Sequence, residues 1–143
     1  MEIKNSMELT IPSLSVNEGF ARSVVGAFAT QLDPTLEEVA DIKTAVSEAV
    51  TNAIVHAYPQ SPGQIIIRAS LSGHTLAVTV SDKGVGIGDV SQARQPFFST
   101  AGDESRSGMG FTVMETFMDE LSVESRPGQG TTVQMKKTIK TQG

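Results

Sequence analysis

A strand pattern and a glycine motif follow one another directly in Thr75-Leu76-Ala77-Val78-Thr79-Val80-Ser81-Asp82-Lys83-Gly84-Val85-Gly86-Ile87. The first half of this stretch alternates apolar and polar residues, which predicts a strand with one buried face. Its second half places an acid directly after that strand, followed by two spaced glycines. A carboxylate there can accept a hydrogen bond from an exocyclic amine such as N6 of adenine, and glycines let the backbone approach a flat base. The stretch suggests a nucleotide site, although an ordinary turn would also contain these residue types.

A second pair of glycines lies further along, in Ser107-Gly108-Met109-Gly110. It comes just before a run at 111–118 with helical character. Backbone N–H groups at the start of a helix have no partner within the helix, so they can bind an anion such as a phosphate. Either glycine pair alone is weak evidence, because Gly-x-Gly turns are common in structural loops.

Composition limits the class of protein. The chain has 143 residues, a formal net charge of -5 and no cysteine. The acidic balance and the lack of a basic stripe argue against direct nucleic-acid binding, and the lack of cysteine excludes disulfides and thiolate metal sites. We find neither a signal peptide nor a run long enough to span a membrane, so we expect a cytoplasmic protein without a membrane partner.

The first part of the chain predicts one strand and two helices. Met7, Leu9 and Ile11 alternate as in a strand that Pro12 closes. Ser15 and Glu18 have the spacing of a capping box, which predicts a helix that ends near residue 32. The next helix is expected to begin at Asp33-Pro34 and to run to about residue 56, with a buried face of Val39, Ile42, Val46, Ala49, Val50, Ala53 and Ile54.

The remaining chain predicts two hairpins and one more helix. The strands are expected at 64–71 and 75–81, and then at 121–125 and 131–137. Between the hairpins, 84–110 is too long for a passive connection and suggests a mobile lid, followed by a helix at 110–118. Strands in hairpins with helices grouped separately predict one α+β domain over 1–143, a two-layer α/β sandwich with helices on one face of a mixed, mostly antiparallel sheet.

The second helix carries the strongest catalytic pattern. Glu48, Asn52 and His56 are spaced by four, so they are expected to lie along one stripe of the helix. A carboxylate can take a proton from an attacking hydroxyl, and an amide oxygen suits a phosphate-bound Mg²⁺. The alternative is a solvated polar face, and His56 can equally be a favourable partner for the helix dipole.

The order of these motifs resembles the ATP-binding superfamily of gyrase, Hsp90, histidine kinases and MutL. Within it, the chain is similar to the small bacterial serine kinases of the anti-sigma F family of sporulation. The resemblance covers nearly the whole chain and implies the Bergerat ATP-binding fold. It is carried by Asn17-Glu18-Gly19-Phe20-Ala21-Arg22, Gln31-Leu32-Asp33-Pro34-Thr35, Ser47-Glu48-Ala49-Val50-Thr51-Asn52-Ala53-Ile54, Ala93-Arg94-Gln95-Pro96, Arg106-Ser107-Gly108-Met109-Gly110-Phe111-Thr112 and Gly130-Thr131-Thr132.

The resemblance implies roles for particular residues. Asp82 would hold the adenine amine, Asn52 would coordinate Mg²⁺, and Glu48 would be the general base on a substrate serine. Thr131 would join the polar network beside the base. The other implied contacts with ATP are Gly84, Gly86, Ser99, Thr100, Arg106, Ser107, Gly108, Met109 and Gly110. This chain departs from the family pattern at Ala101, where the family tends to have lysine, and at Lys83 and Ala57.

The resemblance also implies partners. Arg22 on the first helix would anchor protein partners, although it could be a plain solvated arginine. Those partners would be sigma factor F and an anti-anti-sigma protein that is the serine substrate. The family works as a homodimer that holds the sigma factor when ATP is bound.

Three functions remain open from the sequence. The first is an ATP-dependent protein-serine kinase that also binds a sigma factor, which could be sigma factor F or another one. The second is a non-catalytic module in which ATP only shapes the sigma-binding surface. The third is an ATPase or a detached histidine-kinase catalytic domain. We expect the third to need a transducer domain or an upstream acceptor histidine, and His56 and His74 do not fit that role.

Overall fold

A computed structural model describes residues 3–87 and 110–140 of the chain. In chain order the elements are β1 (Ile3–Pro12), α1 (Asn17–Ala29), a 3₁₀ turn (Thr30–Leu32), α2 (Leu36–Asn52), a π turn (Ala53–Ala57), β2 (Gln64–Ser72), β3 (Thr75–Asp82), α3 (Gly110–Phe117), β4 (Glu120–Arg126) and β5 (Gly130–Thr138). The predicted order of strands and helices is confirmed. The lid predicted at 84–110 lies mostly outside the described residues.

The described strands form one five-stranded sheet in the order β1-β2-β3-β5-β4. Every pairing among them is antiparallel, so the sheet is simpler than the mixed sheet that we expected. Both predicted hairpins are present. The β2–β3 hairpin turns at Gly73 and His74, and Gly73 has a φ of 60°, which suits the tight two-residue turn.

The helices cover one face of this sheet. Along β2 and β3 every second residue is buried, and these residues pack with the apolar faces of all three helices in one core. The helix α2 is central because it packs against both α1 and α3. Its fully buried residues are Ile42, Ala45, Val46 and Val50, whereas the predicted Val39 and Ile54 are only partly buried. The prediction of an α+β two-layer sandwich is confirmed.

The start of α1 differs from the predicted capping box. The N-cap is Val16 and has no side-chain cap, so Ser15 does not cap the helix. The Glu18 carboxylate instead accepts a hydrogen bond from the hydroxyl of Ser47 on α2. The prediction was wrong here because the sequence spacing fits a capping box, while the tertiary contact with α2 offers the carboxylate another partner.

The start of α2 lies two residues later than predicted. Thr35 is the N-cap, and it forms a reciprocal capping box with Glu38. The Glu38 N–H donates to Thr35 Oγ1 at 3.0 Å, and the Thr35 N–H donates to Glu38 Oε1 at 2.9 Å. Pro34 therefore precedes the cap instead of opening the helix, because the capping box needs the side-chain hydroxyl and the backbone N–H of Thr35, and proline has neither group.

The end of α2 changes its winding. The α-helix ends at Asn52, and the chain continues as a π turn through Ala57. The predicted end near residue 56 is close to this point, but His56 lies in the π turn and not in the α-helix. Single π turns within helices are often found at functional sites.

Candidate nucleotide-binding site

The helix α2 brings two of the predicted residues to one face. Glu48 and Asn52 are one α-helical turn apart, so their side chains lie on the same stripe, and both are partly buried. Within 3–87 and 110–140 neither side chain makes a hydrogen bond. His56 lies beyond the α-helix, in the π turn, and its place on the same stripe stays a prediction. His56 does have an interaction partner of its own.

Asp82 lies at the end of β3 and uses one carboxylate oxygen within the protein. Oδ1 accepts the N–H of Gly84 at 2.9 Å and the N–H of Thr131 at 3.2 Å. Among the described residues, Oδ2 makes no hydrogen bond. Burial raises the pKa of this carboxyl group above its ordinary value, and the two N–H donors oppose that rise. The described residues thus hold the carboxylate in place through Oδ1.

The loop after Asp82 lies against the π turn. The N–H of Val85 donates to the carbonyl oxygen of Ala57 at 2.8 Å. A Cβ at Gly84 would lie 2.0 Å from the same oxygen, so no side chain fits there. The first glycine of the motif is therefore required for close packing. This contact also joins the Asp82 loop to the turn that follows Asn52.

The same loop is held from its other side by the β4–β5 turn. Gly86 has a φ of +77°, and a Cβ there would lie 2.1 Å from the carbonyl oxygen of Arg126. The N–H of Gly128 donates to the carbonyl oxygen of Val85 at 2.7 Å. Backbone packing alone therefore accounts for the second glycine. The contact of Gly86 with the base remains a prediction.

A row of residues crosses the sheet beside Asp82. The cross-strand register pairs Ile11 with Ile65, Ile65 with Asp82, Asp82 with Thr131, and Thr131 with Ser125. Directly opposed residues in antiparallel strands share a face, and this row lies on the face covered by the helices. The row is apolar and buried at Ile11 and Ile65, and it becomes polar from β3 onward. The polar half contains Asp82 and Thr131, the two residues that were predicted to lie beside the base.

Ser125 is the residue of this row that the sequence analysis missed. Its hydroxyl lies 2.7 Å from Thr131 Oγ1 and 3.0 Å from the carbonyl oxygen of Gly130, and it accepts the N–H of Ile87 at 2.7 Å. The predicted β4–β5 hairpin contained the signal, because its register places Ser125 opposite Thr131.

Tyr58 was also missed. Its hydroxyl donates to the carbonyl oxygen of Gln64 at 2.6 Å and accepts the N–H of Lys83 at 2.8 Å. It therefore fixes the start of the Asp82 loop to the start of β2. A single tyrosine after a helix carries no sequence signal for such a role.

A depression of about 530 Å³ lies at the polar end of the row. The described residues that line it include Asp82, Ser125 and Thr131, but neither Glu48 nor Asn52. The structure thus brings Asp82, Ser125 and Thr131 together in one concave surface. Glu48 and Asn52 come from the neighbouring helix layer.

Of the other predicted site residues, Gly110 and Arg22 lie within the described part of the chain. Gly110 is the buried first residue of α3, which packs against α2. Arg22 is exposed and lies 3.6 Å from the Glu18 carboxylate one helical turn earlier. The residues Ser99, Thr100, Arg106, Ser107, Gly108 and Met109 lie outside the described residues.

The described residues show neither a preformed metal cluster nor a membrane-spanning helix. The described residues contain no group of three or more His, Cys, Asp or Glu side chains that could hold a metal ion. A Mg²⁺ bound mainly by phosphates and water does not need such a group, and the amide oxygen of Asn52 suits it. None of the helices in the described part of the chain is long and apolar enough to cross a membrane.

The chain belongs to the family of histidine kinase-like ATPase domains, whose model matches residues 12–137. Solved structures show the same fold. The RsbU and RsbW domains of a Mycobacterium tuberculosis protein match 95% of this chain and 33% of theirs, with a TM-score of 0.67 and 19% identity. The nucleotide-free catalytic domain of the histidine kinase ThkA matches 97% of each chain, with a TM-score of 0.55 and 16% identity.

Within that class, the chain belongs to the anti-sigma F factor family. The anti-sigma F factor of Thermoanaerobacter sp. (strain X514) is 60% identical over 139 residues, which are 97% of this chain and 97% of that protein. The anti-sigma F factor of Bacillus subtilis (strain 168) is 50% identical over 138 residues, which are 96% of this chain and 94% of that protein. The resemblance inferred from the motifs is confirmed.

Proposed function

We propose that this protein is an anti-sigma factor and an ATP-dependent protein-serine kinase. It would sequester sigma factor F and phosphorylate a serine of the anti-anti-sigma protein. Membership of the anti-sigma F factor family supports the anti-sigma function. The observation that carries ATP binding is Asp82, whose Oδ1 is held by two backbone N–H groups while its Oδ2 has no partner among the described residues.

Recognition of adenine would take place at the polar end of the cross-strand row. Asp82 Oδ2 would accept a hydrogen bond from the N6 amine, which a buried carboxylate does more strongly than an exposed one. Thr131 would contribute from the next strand. The loop through Gly84 and Gly86 would form the wall against the base.

The phosphate side would use the neighbouring helix layer. Asn52 would provide an oxygen ligand to Mg²⁺, which when bound neutralises charge on the phosphates. Glu48, one turn earlier on the same face, would accept the proton of the substrate serine hydroxyl. Phosphate contacts would come from Ser99, Thr100, Arg106 and the backbone of Ser107, Gly108, Met109 and Gly110.

Partner binding would involve Arg22 on α1, within a homodimer. Nucleotide state would select the partner: ATP for the sigma factor, and phosphate transfer for the anti-anti-sigma protein. Direct nucleic-acid binding and membrane association are not part of this proposal. The cytoplasmic location stays a prediction.

The test compares Glu48→Gln and Asn52→Ala in the full chain. Phosphate transfer to the anti-anti-sigma protein, ATP binding and sigma factor binding are measured side by side. Loss of a general base should slow transfer by roughly 100-fold or more in Glu48→Gln, while ATP binding persists. Asn52→Ala should lose transfer and Mg²⁺-dependent ATP binding, and it should weaken sigma binding only as far as nucleotide is lost.

Glu37→Gln is the matched control, because Glu37 is an exposed acid in the first turn of the same helix. It should leave transfer unchanged. If Glu48→Gln transfers phosphate at the wild-type rate, the kinase proposal fails and the non-catalytic sigma-binding module is supported. Steady ATP hydrolysis without any partner would instead favour an ATPase.

A further inference from the structure

Ser125 lies at the edge of the proposed base-binding surface, and the proposed function gives it no role. It is partly buried on β4, directly opposite Thr131, and it lines the same depression as Asp82. Its hydroxyl has three neighbours within hydrogen-bond distance: the Ile87 N–H at 2.7 Å, Thr131 Oγ1 at 2.7 Å and the Gly130 carbonyl oxygen at 3.0 Å.

The single hydrogen and the two lone pairs of the Ser125 hydroxyl determine which group donates in each of these bonds. A serine hydroxyl has one hydrogen to donate and two lone pairs to accept with. The Gly130 carbonyl oxygen can only accept, so the bond to it uses the Ser125 hydrogen. The Ile87 N–H can only donate, so it uses one Ser125 lone pair. The remaining lone pair must then accept the hydrogen of the Thr131 hydroxyl.

This arrangement fixes what Thr131 can offer to a ligand. Because its hydrogen points to Ser125, the Thr131 oxygen presents only lone pairs. Asp82 Oδ2 beside it is also an acceptor. A surface of acceptors suits an exocyclic amine, whereas it repels an exocyclic carbonyl oxygen.

We propose that Ser125 is a positioning residue that holds the Thr131 hydroxyl as an acceptor and so makes the site select 6-aminopurine over 6-oxopurine nucleotides. The inference rests on the proposed ATP function and deepens it. Without Ser125, the Thr131 hydroxyl can rotate and donate to a 6-oxo group. Of the two acceptors that repel a 6-oxo group, only the Asp82 carboxylate then remains. Because the Ile87 N–H also loses its acceptor, the loop wall around Gly86 should loosen as well.

The experiment measures dissociation constants of ATP and inosine triphosphate, each with Mg²⁺, for the full chain. Inosine triphosphate carries an oxygen where ATP has the amine, so the ratio of the two constants reports discrimination at that position. The wild type should prefer ATP. Ser125→Ala should lower the preference about tenfold, and Ser125→Thr, which keeps a hydroxyl, should largely restore it.

Thr75→Ala is the matched control. The Thr75 and Thr138 hydroxyls form a similar cross-strand pair at 3.1 Å at the other end of β3 and β5, and neither residue lines the depression. Its loss should leave the ATP preference unchanged. Thr131→Val and Thr131→Ser provide a second route should Ser125→Ala fold poorly. Thr131→Val should lower the preference, since the Asp82 carboxylate remains, and Thr131→Ser should keep it.

The outcomes separate the two proposals. If the wild type binds neither nucleotide, the proposed function fails and this inference falls with it. If the wild type prefers ATP but Ser125→Ala weakens both nucleotides equally, ATP binding stands and Ser125 is only a structural residue. If the wild type binds both nucleotides equally, selectivity is refuted while the ATP proposal survives.

Discussion

The two layers of the proposed site differ in how their polar groups are held. On the sheet side, Asp82, Thr131 and Ser125 are joined to one another and to the backbone by hydrogen bonds. On the helix side, Glu48 and Asn52 make no hydrogen bond within the described residues. The difference indicates that hydrogen bonds formed on folding order the sheet side, whereas no such bond from the described residues holds Glu48 or Asn52. Such a division predicts that substitutions will affect stability and binding differently in the two layers.

The largest effect on stability is expected from Gly84→Ala. A Cβ would lie 2.0 Å from the Ala57 carbonyl oxygen, so the backbone of the loop or the π turn must move. Overpacking against backbone costs about 3 kcal/mol. Chemical denaturation measures the loss. The control is Gly19→Ala on α1, where the nearest atom is a flexible arginine side-chain nitrogen at 3.8 Å. Equal stability of the two variants would contradict the close contact that joins the layers.

Asp82→Asn should weaken ATP binding while the stability of the fold is retained. The amide oxygen can still accept the N–H groups of Gly84 and Thr131, so the fold should be retained. Its NH₂ group would face the adenine amine in place of an acceptor, which should weaken ATP binding about 100-fold or more. Calorimetric titration with ATP and a thermal melt of the same sample test both parts. ATP affinity at the wild-type level would remove Asp82 from the site.

Acidification should increase the contribution of Asp82 to stability and decrease the affinity for ATP. Because burial raises the pKa of Asp82, the folded state binds a proton more tightly than the unfolded state. Between the ordinary and the raised pKa, the contribution of Asp82 to stability therefore grows as the pH falls. Protonation also removes the acceptor for adenine, so ATP affinity should fall over the same window. Titrations and melts across that range, with Asp82→Asn as the pH-insensitive reference, check both trends.

The smallest effect is expected for the stability of Asn52→Ala. Since the side chain makes no hydrogen bond within the described residues, its loss should change the free energy of unfolding by no more than about 0.5 kcal/mol. The same variant should nevertheless lose Mg²⁺-dependent ATP binding. Denaturation without nucleotide provides the measurement. A loss as large as that of Gly84→Ala would mean that both layers are ordered by folding.

Several parts of the site could be predicted because they depend on local order along the chain. Asp82 follows an alternating strand, and Glu48 and Asn52 are one turn apart on a helix. These patterns are dictated by strand and helix periods, and the family matches confirm the resemblance drawn from them. The roles of the residues in ATP binding and catalysis stay predictions.

Other parts could not be predicted, because they depend on which elements meet. The capping box predicted at Ser15 is absent, because the Glu18 carboxylate accepts a hydrogen bond from Ser47 on another helix. The change from an α-helix to a π turn after Asn52 was also not predicted, because no local spacing signals it. Ser125 and Tyr58 contribute through hydrogen bonds to residues 5 to 38 positions away in the chain.

The order of strands and helices, the family and the four motifs around Asn52, Asp82, Gly108 and Thr131 could all be inferred from the amino-acid sequence. Those features follow from periodicity and residue type, which act over a few neighbouring residues. The reason why Gly84 and Gly86 must be glycines, and the direction of the Thr131 hydroxyl, became visible only in the folded chain. Those features depend on the cross-strand register and on backbone atoms from distant parts of the chain that approach within a few ångströms.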